Sequence, residues 1–218
     1  MNSVYNTSKL KCMLFDMDGV IIDSERLYIN AESQFFDSFD IPSSAIDWNK
    51  LHGCSEKDFY RYCTETLNIQ QPLDTLRARC RKLIMNEFDK NLSFNKDFET
   101  FYLSLPKYIR KGLVTSTSRA LLNFIDQKLG IIQLFDTVVC GDDISRGKPD
   151  PEPYELAMKL LSVKQSETLI IEDSLIGLQS ARASGAYVVA LAGTYKISEL
   201  GIADTIIEHF IDLDIKPL

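Results

Sequence analysis

Two aspartates separated by one residue, Asp16 and Asp18, follow a short apolar segment near the start of the chain. Alternate side chains of extended backbone point the same way, so both carboxylates can face one side. Two like charges about 4 Å apart repel by roughly 4 kcal/mol at an effective dielectric constant near 20. A divalent cation, or a proton on one carboxylate, would relieve that repulsion. The Asp-x-Asp-Gly pattern also suits an ordinary surface turn, so further residues are needed to indicate a site.

Polar residues also stand where other apolar segments end or a helix begins. Ser116 and Thr117 follow one segment, and Glu172 and Asp173 end another. Lys148 precedes a predicted helix. Taken singly, these residues suit a helix cap, a turn or a solvated lysine. The carboxyl ends of parallel strands meet at one edge of a sheet, so this order along the chain predicts a common site.

The elements that position these residues alternate between strand and helix from about residue 94 onward. We predict strands at residues 11–15, 112–115, 137–140, 169–171 and 187–191. Helices are predicted at 118–129 and 150–161, and a third helix follows the 169–171 strand and ends at residue 185. Such alternation is typical of right-handed crossovers and a parallel sheet. The predicted fold is therefore α/β, with a doubly wound parallel-sheet core.

Residues 24–91 carry helical patterns and no strand signal. One crossover needs one helix, so several helices in a row indicate an insertion after the first strand. We expect two domains, an α/β core of residues 1–23 plus 92–218 and a helical cap domain of residues 24–91. Four basic residues alternate with the apolar face of one cap helix, and we assign them to a solvated face: Arg77, Arg79, Arg81 and Lys82.

The composition is that of an ordinary globular protein, with 45% hydrophobic and 25% charged residues among 218. A formal charge of −7 argues against nucleic acid as a partner. No segment approaches the length of a membrane span, and the first ten residues lack the apolar region of a secretory signal. The five cysteines form no Cys-x-x-Cys pair. We therefore expect a cytoplasmic protein with no membrane partner, and a monomer.

Four segments together resemble the motifs of the haloacid dehalogenase superfamily: DMDGVIIDSE (16–25), VTSTS (114–118), GKPDPEPY (147–154) and IEDSLIGLQSARASG (171–185). They are most similar to its helical-cap branch, which includes β-phosphoglucomutases and sugar-phosphate phosphatases. The resemblance extends from residue 10 to residue 192. It implies a Rossmann-like core with an inserted helical cap. Dehalogenases of the superfamily lack the second aspartate of the first motif, so Asp18 favours phosphoryl transfer over carbon–halogen hydrolysis.

The resemblance implies a role for each motif residue. Asp16 is the expected nucleophile and forms an aspartyl-phosphate, while Asp18 acts as general acid and then as general base. Ser116 and the amide of Thr117 are expected to hold the transferring phosphoryl group. Lys148 is expected to neutralise the charges of the phosphoryl group and the nucleophile.

Magnesium is the cofactor that the resemblance implies. Its expected ligands are Asp16, the backbone carbonyl of Asp18 and Asp173. Glu172 is expected beside the ion or among its ligands. Oxygen ligands with retained water suit this hard cation.

The insertion departs from the mutase pattern at two positions. Tyr28 stands where mutases carry a histidine, and Glu56 stands where their cap loop carries an arginine. Cap residues His52, Cys54 and Glu56 are the candidate substrate contacts. These departures favour a magnesium-dependent phosphatase of a small phosphorylated metabolite, with a sugar phosphate the first expectation. The alternatives are a β-phosphoglucomutase-like phosphomutase and a non-catalytic regulatory protein of the same fold.

Overall fold

A computed structural model describes residues 9–51, 54, 56–213 and 215 of the chain. Its centre is a sheet of six parallel strands in the spatial order β3-β2-β1-β4-β5-β6. The strands are β1 (Cys12–Phe15), β2 (Arg110–Val114), β3 (Thr137–Val139), β4 (Thr168–Glu172), β5 (Tyr187–Leu191) and β6 (Thr205–Ile207). This order confirms the predicted doubly wound α/β core.

The helices connect and flank these strands. They are α1 (Glu25–Asp37), α2 (Trp48–Leu51), α3 (Glu56–Arg61), α4 (Leu73–Asn91), α5 (Phe98–Ser104), α6 (Arg119–Leu129), α7 (Glu152–Leu161) and α8 (Leu175–Ala183), with a π-helical turn at Tyr62–Thr66. Predicted boundaries hold well where a stop signal is strong. For example, α6 ends at Leu129, and Gly130 after it has a left-handed φ of 63°.

Both faces of the sheet are buried, as the unbroken apolar sequence of β1 predicts. Met13 and Phe15 pack into one hydrophobic cluster, and Cys12 and Leu14 pack into another on the opposite face. All four residues of β1 are 0% exposed. The strand that carries the first motif is therefore held rigidly in the middle of the core.

Helices α1 to α4 lie between β1 and β2 in the chain, and the described part of this segment contains no strand. They bury a third hydrophobic cluster of their own, to which α1 contributes Phe35 and Phe36 and α4 contributes Leu76 and Cys80. The helices α1 and α4 pack along each other. The segment thus has its own core, which is what an insertion of this kind requires.

The two connections to this helical segment lie side by side. The amide of Asp23 donates to the carbonyl of Ser93 at 3.1 Å, and the amide of Asn95 donates to the carbonyl of Ile21 at 2.8 Å. The Asn95 side chain also donates to the carbonyl of Gly19 at 2.8 Å. These bonds tie the insertion to the loop that bears the first motif. Among the described residues, no helix has the length and apolar character needed to cross a membrane.

Candidate active site

The first, second and fourth motifs meet because β1 lies between β2 and β4 in the sheet. Asp16 follows β1, Ser116 lies just beyond β2, and Asp173 follows β4. Lys148 reaches the same edge from the loop before α7. One cavity is lined by six of the residues predicted from the motifs: Asp16, Asp18, Ser116, Thr117, Lys148 and Asp173.

Lys148 is the cation at the centre of this site. Its Nζ lies 2.5 Å from Asp16 Oδ1 and 2.6 Å from Glu172 Oε1, and its side chain is 4% exposed. Burial by itself would lower the pKa of Lys148, but the two carboxylates outweigh that effect and hold the pKa well above its ordinary value. The lysine is therefore a fixed positive charge beside Asp16.

Glu172 is fully buried and its two oxygens accept five hydrogen bonds. Oε1 accepts from Lys148 and, at 2.8 Å, from the hydroxyl of Tyr154. Oε2 accepts from the amides of Asp173 and Ser174 and from the Ser174 hydroxyl, at 3.0 to 3.1 Å. This carboxylate is thus committed to protein donors and orients the lysine. Tyr154 lies inside the third motif, but sequence analysis assigned it no role.

Two glycines allow the acidic side chains to approach the backbone this closely. A Cβ atom at Gly19, whose φ is +71°, would stand 2.0 Å from Asp173 Oδ2. A Cβ atom at Gly177 would stand 1.8 Å from Glu172 Oε1. No side chain fits at either position without moving a carboxylate of the site.

Asp18 is held by two hydroxyl groups. Ser24 Oγ donates to its Oδ1 at 2.7 Å, and Thr117 Oγ1 donates to its Oδ2 at 3.0 Å. Burial raises the pKa of Asp18, although these two hydrogen bonds oppose the rise. The amide of Thr117 donates to Thr115 Oγ1 at 3.0 Å, so it already has a partner where sequence analysis expected it to meet a phosphoryl group.

The acidic groups form a cluster that suits a metal ion. Carboxylate oxygens of Asp16, Glu172 and Asp173 lie within 4.8 Å of one another, and all three residues are buried. Burial raises the pKa of Asp16 to about 8, with Lys148 opposing and Glu172 adding to the rise. Burial, followed by Glu172 and Asp16, raises the pKa of Asp173 well above its ordinary value.

If all three carboxyl groups are ionised, their negative charge exceeds what Lys148 can balance, and a divalent cation would supply the remainder. The donors are oxygens, as magnesium prefers. Asp173 is further oriented by Thr194 Oγ1, which donates to its Oδ2 at 2.6 Å. Sequence analysis missed Thr194, because nothing in the sequence near β5 marks it as part of the site.

The helical insertion covers the other side of the cavity. Cys54 and Glu56 line it, whereas His52 lies outside the described residues. Glu56 Oε1 lies 3.3 Å from Nη2 of Arg81 and 3.7 Å from Nε of Arg77. Arg81 also lines the cavity. Its side chain is 38% exposed, so this position is solvated as predicted but lies at the cavity.

Helix α1 adds two further residues that sequence analysis did not connect with substrate. Tyr28 and Glu32 line the cavity one helical turn apart. The Tyr28 ring packs edge-on against Phe88, with centroids 5.1 Å apart. Burial, with Asp18 adding, raises the pKa of Tyr28 well above its ordinary value, so this phenol stays neutral. The spacing of Glu25, Tyr28 and Glu32 on one helix face is the signal that could have identified this wall.

Comparisons with known proteins agree with this geometry. The family model for haloacid dehalogenase-like hydrolases matches residues 13–191. A phosphorylated carbohydrates phosphatase from Thermotoga maritima is 30% identical over 178 residues, which cover 81% of this chain and 82% of that protein. A validoxylamine A 7'-phosphate phosphatase from Streptomyces hygroscopicus subsp. limoneus is 26% identical over 93% of this chain and 95% of that protein.

The fold is also found in a solved structure. The crystal structure of β-phosphoglucomutase from Clostridium difficile has a TM-score of 0.80 at 19% identity, and the match covers 94% of this chain and 93% of that one. At this identity the likeness concerns the fold alone. The family match and the named phosphatases carry the classification: the chain belongs to the haloacid dehalogenase-like hydrolases and is a phosphoric monoester hydrolase.

Proposed function

We propose that the protein is a magnesium-dependent phosphatase that hydrolyses a small phosphorylated metabolite, in the first place a sugar phosphate, through an aspartyl-phosphate on Asp16. The observation that carries this proposal is the buried contact of Lys148 with Asp16 at the cavity floor, with Asp18 beside them. The relative named for phosphorylated carbohydrates supports the choice of substrate class.

In the first half-reaction a carboxylate oxygen of Asp16 attacks phosphorus, and the bond from phosphorus to the leaving oxygen breaks. Lys148 offsets the charge that the nucleophile and the phosphoryl group bring together. Ser116 lines the cavity next to Thr117 and supplies a hydroxyl donor for a phosphoryl oxygen. Asp18, with its raised pKa, donates a proton to the leaving oxygen.

In the second half-reaction Asp18 accepts a proton from water, and the water oxygen attacks the phosphoryl group on Asp16. The carboxylate of Asp16 is released and inorganic phosphate forms. Asp18 performs both proton transfers because Ser24 and Thr117 hold its carboxyl group in one orientation. Once Asp18 has given its proton to the leaving oxygen, it is a base that can accept a proton from water, so no second residue is needed.

Magnesium would be held by Asp16, Asp173 and the backbone carbonyl of Asp18. When bound, the ion supplies positive charge that keeps the carboxylates ionised and offsets the charge of the phosphate. We assign Glu172 to Lys148 rather than to the ion, because its oxygens already accept five hydrogen bonds. Glu172 also belongs to the acidic cluster, so direct ligation of the ion by Glu172 is the alternative that an experiment can test.

We also propose that residues 24–91 form a cap domain that closes over the site, and that cap residues His52, Cys54 and Glu56 contact the leaving group. The paired connections at Asp23 and Ser93 give the cap a narrow attachment. Closure would exclude water while Asp16 is phosphorylated, and opening would readmit it for hydrolysis.

Turnover of an aryl phosphate tests the proposal. Asp16→Asn should remove nearly all activity, because it lacks the nucleophile. Chelation of magnesium by EDTA should do the same in the wild-type enzyme, because it removes the positive charge that balances the carboxylates. Asp37→Asn, at an exposed position at the end of α1, is the matched control. Acid-quenched wild-type enzyme should retain labelled phosphate that Asp16→Asn lacks. Retention of most activity by the Asp16 variant would contradict the nucleophile assignment.

The phosphomutase alternative requires a second phosphate in the cap. Arg81 lines the cavity, but its guanidinium is paired with Glu56 at 3.3 Å. Incubation with β-glucose 1-phosphate, magnesium and a trace of the 1,6-bisphosphate separates the two functions. We expect free phosphate to exceed glucose 6-phosphate. Rapid formation of glucose 6-phosphate with little free phosphate would instead establish the mutase.

A further inference from the structure

Glu32 lines the cavity from helix α1. It is four residues beyond Tyr28 on α1, so it stands roughly 6 Å farther along the helix. Tyr28 is next to Asp18, which faces the leaving oxygen in the proposed reaction. The Glu32 carboxyl group therefore lies about one helical turn from the bond that breaks, where it can contact the leaving group.

Glu32 has no hydrogen bond or ion pair within the part of the chain that the structure describes. Its charge interacts with one further carboxylate, one phenol and three thiols: Glu25, Tyr28, Cys54, Cys63 and Cys80. None of these groups is a cation. Burial, with Glu25 adding, raises the pKa of Glu32 to about 8. A half-buried carboxyl group without a partner is costly, and a ligand that supplies a hydrogen-bond donor removes that cost.

The other charged groups of the cavity wall are already engaged. Arg81 is paired with Glu56, and Lys148 is held by Asp16 and Glu172 at the floor. Apolar side chains of α1 and α2 line the same cavity as Glu32, among them Ile29, Trp48 and Leu51. Among the described residues that line the cavity, the Glu32 carboxyl group is therefore one that a substrate can engage without displacing a protein partner.

We propose that Glu32 determines substrate choice by accepting a hydrogen bond from a donor on the leaving group, a hydroxyl or a protonated amine. This inference rests on the proposed phosphatase function and narrows its substrate class to monophosphates with a polyol or amino-polyol leaving group. A leaving group with its own carboxylate or second phosphate would find no cation beside Glu32 among the described residues, and it is disfavoured.

Two variants and a matched pair of controls test the role. Glu32→Leu removes the acceptor, and Glu32→Gln keeps an acceptor but removes the charge. Glu65→Leu and Glu65→Gln make the same changes at an exposed cap position away from the cavity. The substrates are hexose 6-phosphates, amino-hexose 6-phosphates, n-hexyl phosphate, phosphoglycolate and p-nitrophenyl phosphate. The measured quantity is kcat/KM for each.

The wild type and the Glu65 variants should prefer the best polyol or amino-polyol phosphate over hexyl phosphate by about tenfold to a hundredfold, as expected for one hydrogen bond to a carboxyl group. Glu32→Leu should abolish that preference while p-nitrophenyl phosphate turnover stays within about threefold. If Glu32→Gln keeps the preference, the donor on the leaving group is a hydroxyl. If Glu32→Gln loses the preference for the amino substrates, the donor is an ammonium group.

Three results would overturn the inference. The first is an unchanged preference in Glu32→Leu. The second is an equal loss for every substrate, p-nitrophenyl phosphate included. The third is a wild-type preference for phosphoglycolate. A wild-type protein inactive on every substrate would instead refute the proposed function, and the inference with it.

Discussion

The assignment of Glu172 to Lys148 rather than to the metal leads to a prediction for Glu172→Gln. The substitution preserves shape but places an amide nitrogen where one carboxylate oxygen now accepts. If the new amide nitrogen faces Lys148 and Tyr154, it meets two hydrogen-bond donors and offers them no acceptor. If it faces the backbone amide of Asp173 instead, that N–H loses its acceptor. Lys148 is then left with one buried carboxylate partner, Asp16.

The magnitude follows from burial. Breaking a buried ion pair costs about 3–5 kcal/mol when the remaining charge is left uncompensated. Asp16 still faces Lys148, so we expect a loss near the lower limit, about 3 kcal/mol in the free energy of unfolding. A displaced Lys148 should lower kcat by roughly a hundredfold, because its charge is needed at the phosphoryl group. Magnesium affinity should change by less than about threefold.

Asp173→Asn is the matched comparison, since it removes one charge from the neighbouring residue of the same cluster. We expect this variant to weaken magnesium binding by at least about tenfold. The assays are isothermal titration with magnesium, aryl phosphate turnover against magnesium concentration, and urea unfolding. If Glu172→Gln weakens magnesium as much as Asp173→Asn does, and excess magnesium restores its kcat, the assignment is refuted and Glu172 is a ligand.

Three further predictions use other features of the site. Lys148→Ala should lower kcat and kcat/KM together by at least about a hundredfold with far-ultraviolet circular dichroism retained, and an unchanged kcat would make the lysine structural. Gly177→Ala should lower the free energy of unfolding by about 3 kcal/mol, because its Cβ would stand 1.8 Å from a carboxylate oxygen, whereas Gly201→Ala, with open space around it, should not. In the unfolded chain Glu32 loses its proton near its ordinary pKa of 4.5, but in the folded protein it keeps it up to about 8. Between these values stability should therefore fall with rising pH by up to about 1.4 kcal/mol per pH unit, and Glu32→Gln should remove that part of the slope in urea unfolding.

The sheet was predictable because its strands are short apolar segments that end in polar turns. Two elements escaped the prediction. Strand β6 has three residues and pairs with β5 alone at the sheet edge, so it leaves little pattern. Helix α5 is rich in aromatic residues, which favour strands, although Phe98, Phe101, Tyr102 and Leu105 have helical spacing. Packing of its aromatic rings against Phe210 decides the outcome.

Which motif residues converge was predictable, but not which groups orient them. Asp16, Lys148 and Asp173 meet because they occupy strand ends and one loop of a sheet whose order the motifs imply. The contact of Thr194 with Asp173 depends on how the loop after β5 folds back, which periodicity does not encode. Likewise Ser24 occupies a helix N-cap position, yet its hydroxyl bonds Asp18 rather than the helix.

The structure also changes the physical reason for expecting a phosphatase. In the sequence, Glu56 stands where the cap loop of mutases carries an arginine, and this departure favoured a phosphatase. In the folded protein Arg77 and Arg81 pair with Glu56, so its charge is largely balanced. Within the same helical segment, Glu32 is a carboxyl group that no cation contacts among the described residues. If a second phosphate is excluded, the exclusion comes from α1 rather than from the loop at Glu56, and a hexose 1,6-bisphosphate given to the wild type and to Glu32→Leu would measure it.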